Sequence, residues 1–273
     1  MERAGTKGDA APDAPAPSDM PVAEGVRLLD GMPSQRGPAQ TVSARPVAAP
    51  PGRRALRPWR LLPTPTGTPF TFTFAAVLLV TAFVAEHADP ALVHALHQGS
   101  STDVAHLMRT PVFVLVTSAL WVVGGVTSPY AVVFLLVLTA LERRIGGLRT
   151  AGVFALGHVL ATLATEVPVG LGVLVGWLPE TSLHRLDYGI SFGVAASVGA
   201  LAGLLRPWLR WPILIVFGAM LLDDLVAYAD PLTNWGHVMS LAIGVATWPV
   251  VRRWQRSRNG LGAGAHLVAV TAP

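Results

Sequence analysis

Asp187-Tyr188-Gly189-Ile190-Ser191-Phe192-Gly193, with the apolar run that follows it to Leu205, decides how this chain is read. It sets a Gly-x-Ser-x-Gly at the mouth of a predicted membrane-spanning helix, about 189–205. Steps of four from Ser191 give Ala195, Gly199 and Gly203, a stripe of small residues on one helix face. A matching stripe starts at His237 and runs through Ser240 and Gly244. Small residues let membrane helices approach closely, so the two stripes predict a tight helix pair with a serine on one member and a histidine on the other.

Composition supports the bilayer setting. The chain has 273 residues, 52% hydrophobic and 13% charged, where a soluble domain carries roughly 25% charged residues. The net charge of +4 comes from short Arg clusters, a distribution that suits membrane orientation and not nucleic-acid binding. With no cysteine, disulfides, thiolate catalysis and Cys-based zinc sites are excluded. The first 25 residues hold no apolar core of a cleavable signal peptide.

Working outward, residues 1–68 are rich in Pro, Ala and Gly and read as a disordered cytoplasmic tail. A membrane domain follows over 69–253, and 254–273 reads as a loose cytoplasmic tail. The expected spans are about 69–85, 125–141, 150–167, 189–205, 211–227 and 235–251. Residues 88–110 form a polar, weakly amphipathic loop, and 111–124 an embedded or interfacial segment. Residues 168–178 extend the third span or lie in the interface. Arg53, Arg54, Arg57 and Arg60 precede span one; Arg143, Arg144 and Arg149 follow span two; Arg206 and Arg210 follow span four; Arg252, Arg253, Arg256 and Arg258 follow span six. Only Arg109 and Arg185 fall in the opposite loops. Six spans with both termini cytoplasmic satisfy the positive-inside rule at every loop. In that topology Ser191 and His237 lie at one depth, a few residues below the outer face.

A serine hydroxyl is a weak nucleophile until a base takes its proton. A neutral histidine is suited to that task, and a histidine inside a bilayer normally faces the protein interior or a wet cavity. Gly189 and Gly193 allow a chain to come close around Ser191. The unpaired N–H groups at the start of span four are candidate oxyanion donors. The plainer reading is helix packing: the chain holds 27 glycines, and a serine between glycines often serves only close contact.

At these residues the chain resembles the rhomboid family of intramembrane serine proteases. The likeness rests on Gly189-Ile190-Ser191-Phe192-Gly193, on Gly236-His237 with Gly244, and on Leu141-Glu142-Arg143-Arg144-Ile145-Gly146, which resembles the family's Glu-x-Arg-x-Gly turn. It implies an all-α, six-transmembrane-helix bundle in the cell membrane over about 69–253. It also implies Ser191 as nucleophile and His237 as base, a dyad needing no cofactor or metal. Glu142, Arg144, Gly146, Gly199, Gly203 and Gly244 would be structural, and Gly189, Ile190 and Gly193 would support the oxyanion. Substrates would be transmembrane proteins entering between spans two and five. The family usually carries a His and an Asn in span two as oxyanion donors; residues 118–141 hold neither, and Thr127, Ser128 and Tyr130 are the nearby polar candidates. Ser240 also stands where the family commonly has Gly.

Other polar residues have structural readings. His158, Thr162 and Glu166 share one face of span three, which reads as interhelical hydrogen bonding on a face lacking a matching basic partner. Asp223 and Asp224 mark the outer water boundary, and their spacing with His158 and Glu166 fits no standard zinc motif. Trp59, Trp177, Trp208, Trp211, Trp235, Trp248 and Trp254 lie near span ends, as interfacial belts do. Two rivals to the protease stand beside it: an inactive rhomboid-like protein that binds or escorts membrane helices, and a small transporter using His158, Glu166 and Asp223.

Overall fold

The computed structural model describes residues 61–228 and 230–271, with side chains described as far as Gly260. The expected disordered tail lies outside the described residues up to 60. Among the described residues every regular element is helical. The helices are α1 (Pro69–His87), α2 (Pro90–Gly99), α3 (Val104–Arg109), α4 (Pro111–Ser118), α5 (Pro129–Ile145), α6 (Gly147–Leu174), α7 (Ser191–Ala202), α8 (Pro207–Val226), α9 (Pro231–Ala246) and α10 (Trp248–Thr271), with a 3-10 turn at Glu180–His184.

Proline sets many of these starts. It stands in the first turn of α1, α2, α4, α5, α8 and α9, where its missing N–H has no helical partner to lose. Side-chain caps complete three of them: Asp89 for α2, Ser128 for α5 and Asp230 for α9. The polar loop expected over 88–110 is thus mostly two short helices, because Asp89 and Asp103 each cap one. The third span runs on through Pro168 to Leu174. The fourth is shorter than expected at 12 residues. Beyond 253, where a loose tail was expected, the backbone continues as α10.

Two helices, α1 and α6, are long and apolar enough to cross a membrane by length and composition. α1 buries little more than Thr71 and Leu78, and Leu79, Val80 and Phe83 are exposed. α7 is the opposite case: every residue from Phe192 to Ala202 is buried. α9 packs on it most extensively, then α6 and α5. The approach is backbone to backbone: a Cβ on Gly199 would sit 2.5 Å from the Leu241 carbonyl oxygen, and one on Gly244 would overlap the Ala196 carbonyl. The small-residue stripes face one another as the sequence predicts.

One end of the bundle is closed by a Glu142 cap and a set of arginines. Glu142, 2% exposed, accepts hydrogen bonds from Phe70 N–H at 3.0 Å, Thr71 N–H at 2.8 Å and Thr71 Oγ1 at 2.6 Å. These are first-turn donors of α1, left orphaned by helix geometry. Gly146 closes α5 at φ 93°, a left-handed value that favours glycine. Its N–H donates to the Glu142 carbonyl at 2.8 Å. Arg144 Nη1 donates to the Ala140 carbonyl at 2.8 Å. Gly203 ends α7 against the Trp248 ring. Arg210 and Arg252 flank that ring at 5.1 and 5.0 Å and donate to the Ala202, Gly203 and Leu205 carbonyls.

Candidate active site

Ser191 is the first residue of α7 and is partly exposed, while everything after it in the helix is buried. His237 lies in the second turn of α9 and is 7% exposed. Phe192 connects them. Its ring meets His237 edge-on, with centroids 5.3 Å apart. Its carbonyl accepts from Ser240 Oγ on α9, which gives Ser240 a bonding role between the two helices that a glycine could not fill. A Cβ on Gly236 would come within 2.5 Å of the Phe192 ring. The residue after the candidate nucleophile is thus gripped by the residues on either side of the candidate base.

Phe192 sets the two candidate residues on neighbouring turns of α7 and α9, but they are not bonded. No hydrogen bond joins Ser191 Oγ to His237 among the described residues, and both ring nitrogens of His237 are buried without a partner. On its other face His237 carries Tyr130 of α5, with ring centroids 5.3 Å apart and an interplanar angle of 22°. The Tyr130 hydroxyl is likewise buried and unpartnered.

The loop entering α7 is fastened to the segment before α5. Gly189, at φ 128°, donates its N–H to the Ser118 carbonyl at 2.9 Å, and Ile190 N–H donates to the Trp121 carbonyl at 3.1 Å. These two N–H groups are therefore occupied, and the donors left at the mouth are the first-turn N–H groups of Ser191, Phe192 and Gly193. Gly193 faces Phe154, whose ring carbons would lie 2.5 Å and closer to any Cβ there.

The face of α6 bearing His158, Thr162 and Glu166 does have a basic partner. Arg185, on the loop before α7, reaches the Glu166 carboxylate at 2.5 Å, Thr233 Oγ1 at 2.9 Å and the carboxylates of Asp230 and Asp187 at 3.6 and 3.7 Å. Sequence spacing on one helix gives no sign of a partner on a loop. Asp187 is buried, which pushes its carboxyl above the usual carboxylate range against the pull of Arg185. Thr102 N–H donates to its carbonyl at 2.8 Å and Ser101 Oγ accepts from its N–H at 3.1 Å. His158 Nε2 lies 3.0 Å from Ser118 Oγ, so it ties α6 to α4. Loop, α4 and α6 together hold the residues that lead into Ser191.

No curated protein and no solved structure matches the chain. The model of the rhomboid-like protein family matches residues 66–257, a range that takes in the Glu142 cap, the Ser191 turn and the His237 helix. On that match, over more than half its length, the chain belongs to the rhomboid-like protein family, whose members are integral membrane proteins.

Proposed function

We propose that the chain is an intramembrane serine endopeptidase that cleaves transmembrane substrates with a Ser191/His237 dyad. In this reading it is a multi-pass protein of the cell membrane with six spans, α1, α5, α6, α7, α8 and α9, and both termini in the cytoplasm. The observation that carries the proposal is the α7–α9 grip. It brings a buried, unpartnered imidazole beside the turn that presents Ser191. An uncharged imidazole with free nitrogens is what a general base requires, and catalytic hydrogen bonds are often long until substrate arrives. First-turn N–H groups of α7 supply oxyanion donors, and no cofactor is called for. α5 and α8 pack against α7 and barely against each other, which supports lateral entry of a substrate helix between them.

A second reading has its own observation. Ser191 and His237 are not hydrogen-bonded, and α5 carries no His or Asn. Both features favour a relative that binds or escorts membrane helices without cutting them. One experiment separates the two: purified protein in detergent is treated with a fluorophosphonate probe beside Ser191→Ala and His237→Ala. Labelling of the parent, abolished in both variants, is the expected result. A folded parent that stays unlabelled, while a rhomboid protease labels in parallel, overturns the protease reading.

A further inference from the structure

We infer that the Tyr130 hydroxyl is the side-chain oxyanion donor of the Ser191/His237 site, in the place of the His and Asn that α5 lacks; the inference rests on the protease reading. Tyr130 is the second residue of α5, so its ring enters at the same end of the bundle as Ser191. It lies nearly parallel to the His237 ring, and Phe192 closes His237 from another side. In this one aromatic stack three polar atoms are buried without partners: Tyr130 Oη, His237 Nδ1 and His237 Nε2. Buried polar groups are ordinarily satisfied, and three exceptions gathered in one stack call for an explanation, a catalytic role among the recognised ones.

The donor count fits a peptide carbonyl and a serine hydroxyl. A neutral imidazole offers one accepting nitrogen, and a phenol offers one O–H donor. The other polar side chains near the start of α5 are engaged elsewhere. Ser128 Oγ accepts from Ala131 N–H as the helix cap, and Thr127 lines a separate cavity with Glu86, His97 and Tyr188.

In the acylation step, Ser191 Oγ bonds to the scissile carbonyl carbon and its proton passes to a His237 nitrogen. The carbonyl π electrons move onto oxygen, and that oxyanion accepts the Tyr130 O–H. As the carbon–nitrogen bond breaks, the oxyanion reforms the carbonyl and His237 returns the proton to the leaving amine. Water then repeats the cycle on the acyl-serine and restores Ser191.

Because Tyr130 Oη has no partner in the unliganded chain, Tyr130→Phe keeps the ring on His237 and removes no hydrogen bond of the fold. The test compares the second-order rate of fluorophosphonate labelling in the parent, Tyr130→Phe and Tyr130→Ala, with thermal unfolding as the control on folding. Loss of one oxyanion donor predicts a rate lower by about 100- to 1000-fold in Tyr130→Phe at an unchanged unfolding midpoint. The pH dependence should keep the parent's apparent pKa, since the ring on the base is retained. Parent-like labelling of Tyr130→Phe, with only Tyr130→Ala impaired, would show that the ring packs and the hydroxyl does nothing, while the dyad stands. A parent that does not label removes the dyad and this inference together.

Discussion

Replacing Glu142 with alanine should weaken the hold of the bundle on α1, and the structure allows the cost to be estimated. The carboxylate is 2% exposed and accepts three hydrogen bonds, two of them from backbone N–H groups in the first turn of α1. Hydrogen bonds to a charged group contribute about 1.5–3 kcal/mol in soluble proteins, whereas pairs measured within a membrane protein average about 0.6 kcal/mol. A value of about 1 kcal/mol per bond, between those limits, gives a loss of about 3 kcal/mol for Glu142→Ala. α1 keeps its other anchors, Phe74 edge-on to Phe134 and Phe154 and Thr81 Oγ1 on the Leu120 carbonyl, so the loss is that of these three bonds. Thr71→Val removes only the 2.6 Å hydroxyl bond and should cost about 1 kcal/mol. The assay is reversible unfolding in mixed micelles with increasing dodecyl sulfate, followed by tryptophan fluorescence. A Glu142→Ala loss under about 1 kcal/mol, or full additivity of Glu142→Ala with Thr71→Val, would refute the claim that this carboxylate holds α1.

Three further outcomes are expected. Gly199→Ala places a methyl 2.5 Å from the Leu241 carbonyl and should destabilise by about 3 kcal/mol, the upper end of overpacking costs; Gly152→Ala, in open space on α6, should stabilise by up to about 1 kcal/mol in the same micelle titration. Arg185→Met strands Glu166, whose side chain is 1% exposed, and should cost about 3–5 kcal/mol, with Arg185→Met/Glu166→Leu recovering only part of it, because buried Asp187 still lacks its cation. Burial and the neighbouring His94 hold His97 below its ordinary value of 6.5. The unfolded chain then binds more protons just below pH 6.5. The His97 contribution is present above that pH and is lost as pH falls through the window beneath it, so His97→Gln should flatten that part of a melting-temperature profile.

The parts of this molecule legible from sequence are those set by local spacing. The stripe from Ser191 to Gly203 and the stripe from His237 to Gly244 are helical repeats, and they meet because nothing larger than a glycine fits between Gly199 and the Leu241 backbone. The Glu142 turn was readable from its resemblance to the family's Glu-x-Arg-x-Gly turn. What was hidden lies between segments distant in sequence. Arg185 pairs with Glu166 across a loop, His158 pairs with Ser118 of α4, and Tyr130 stacks on His237 from a third helix. No periodicity encodes those contacts. The end of α7 was also missed, because hydropathy continues to Leu205 whereas the helix stops where Arg210 and Arg252 take its last carbonyls.

The brevity of α7 has a consequence for the supply of the second reactant. Twelve residues make about 18 Å of helix, against about 30 Å of hydrocarbon in a bilayer. In the proposed six-span arrangement the remaining depth is filled on the Ser191 side by loops that hydrogen-bond to one another: Thr102 to Asp187, Gly189 to Ser118, Ile190 to Trp121. Irregular backbone persists at such a level only where protein or water surrounds it. On the proposed reading as a hydrolase each bond cut consumes one water, and a full-length apolar helix would seal the serine away from any. By stopping short, α7 sets Ser191, its partly exposed first residue, among polar loops, at the level where the proposed reaction takes up water.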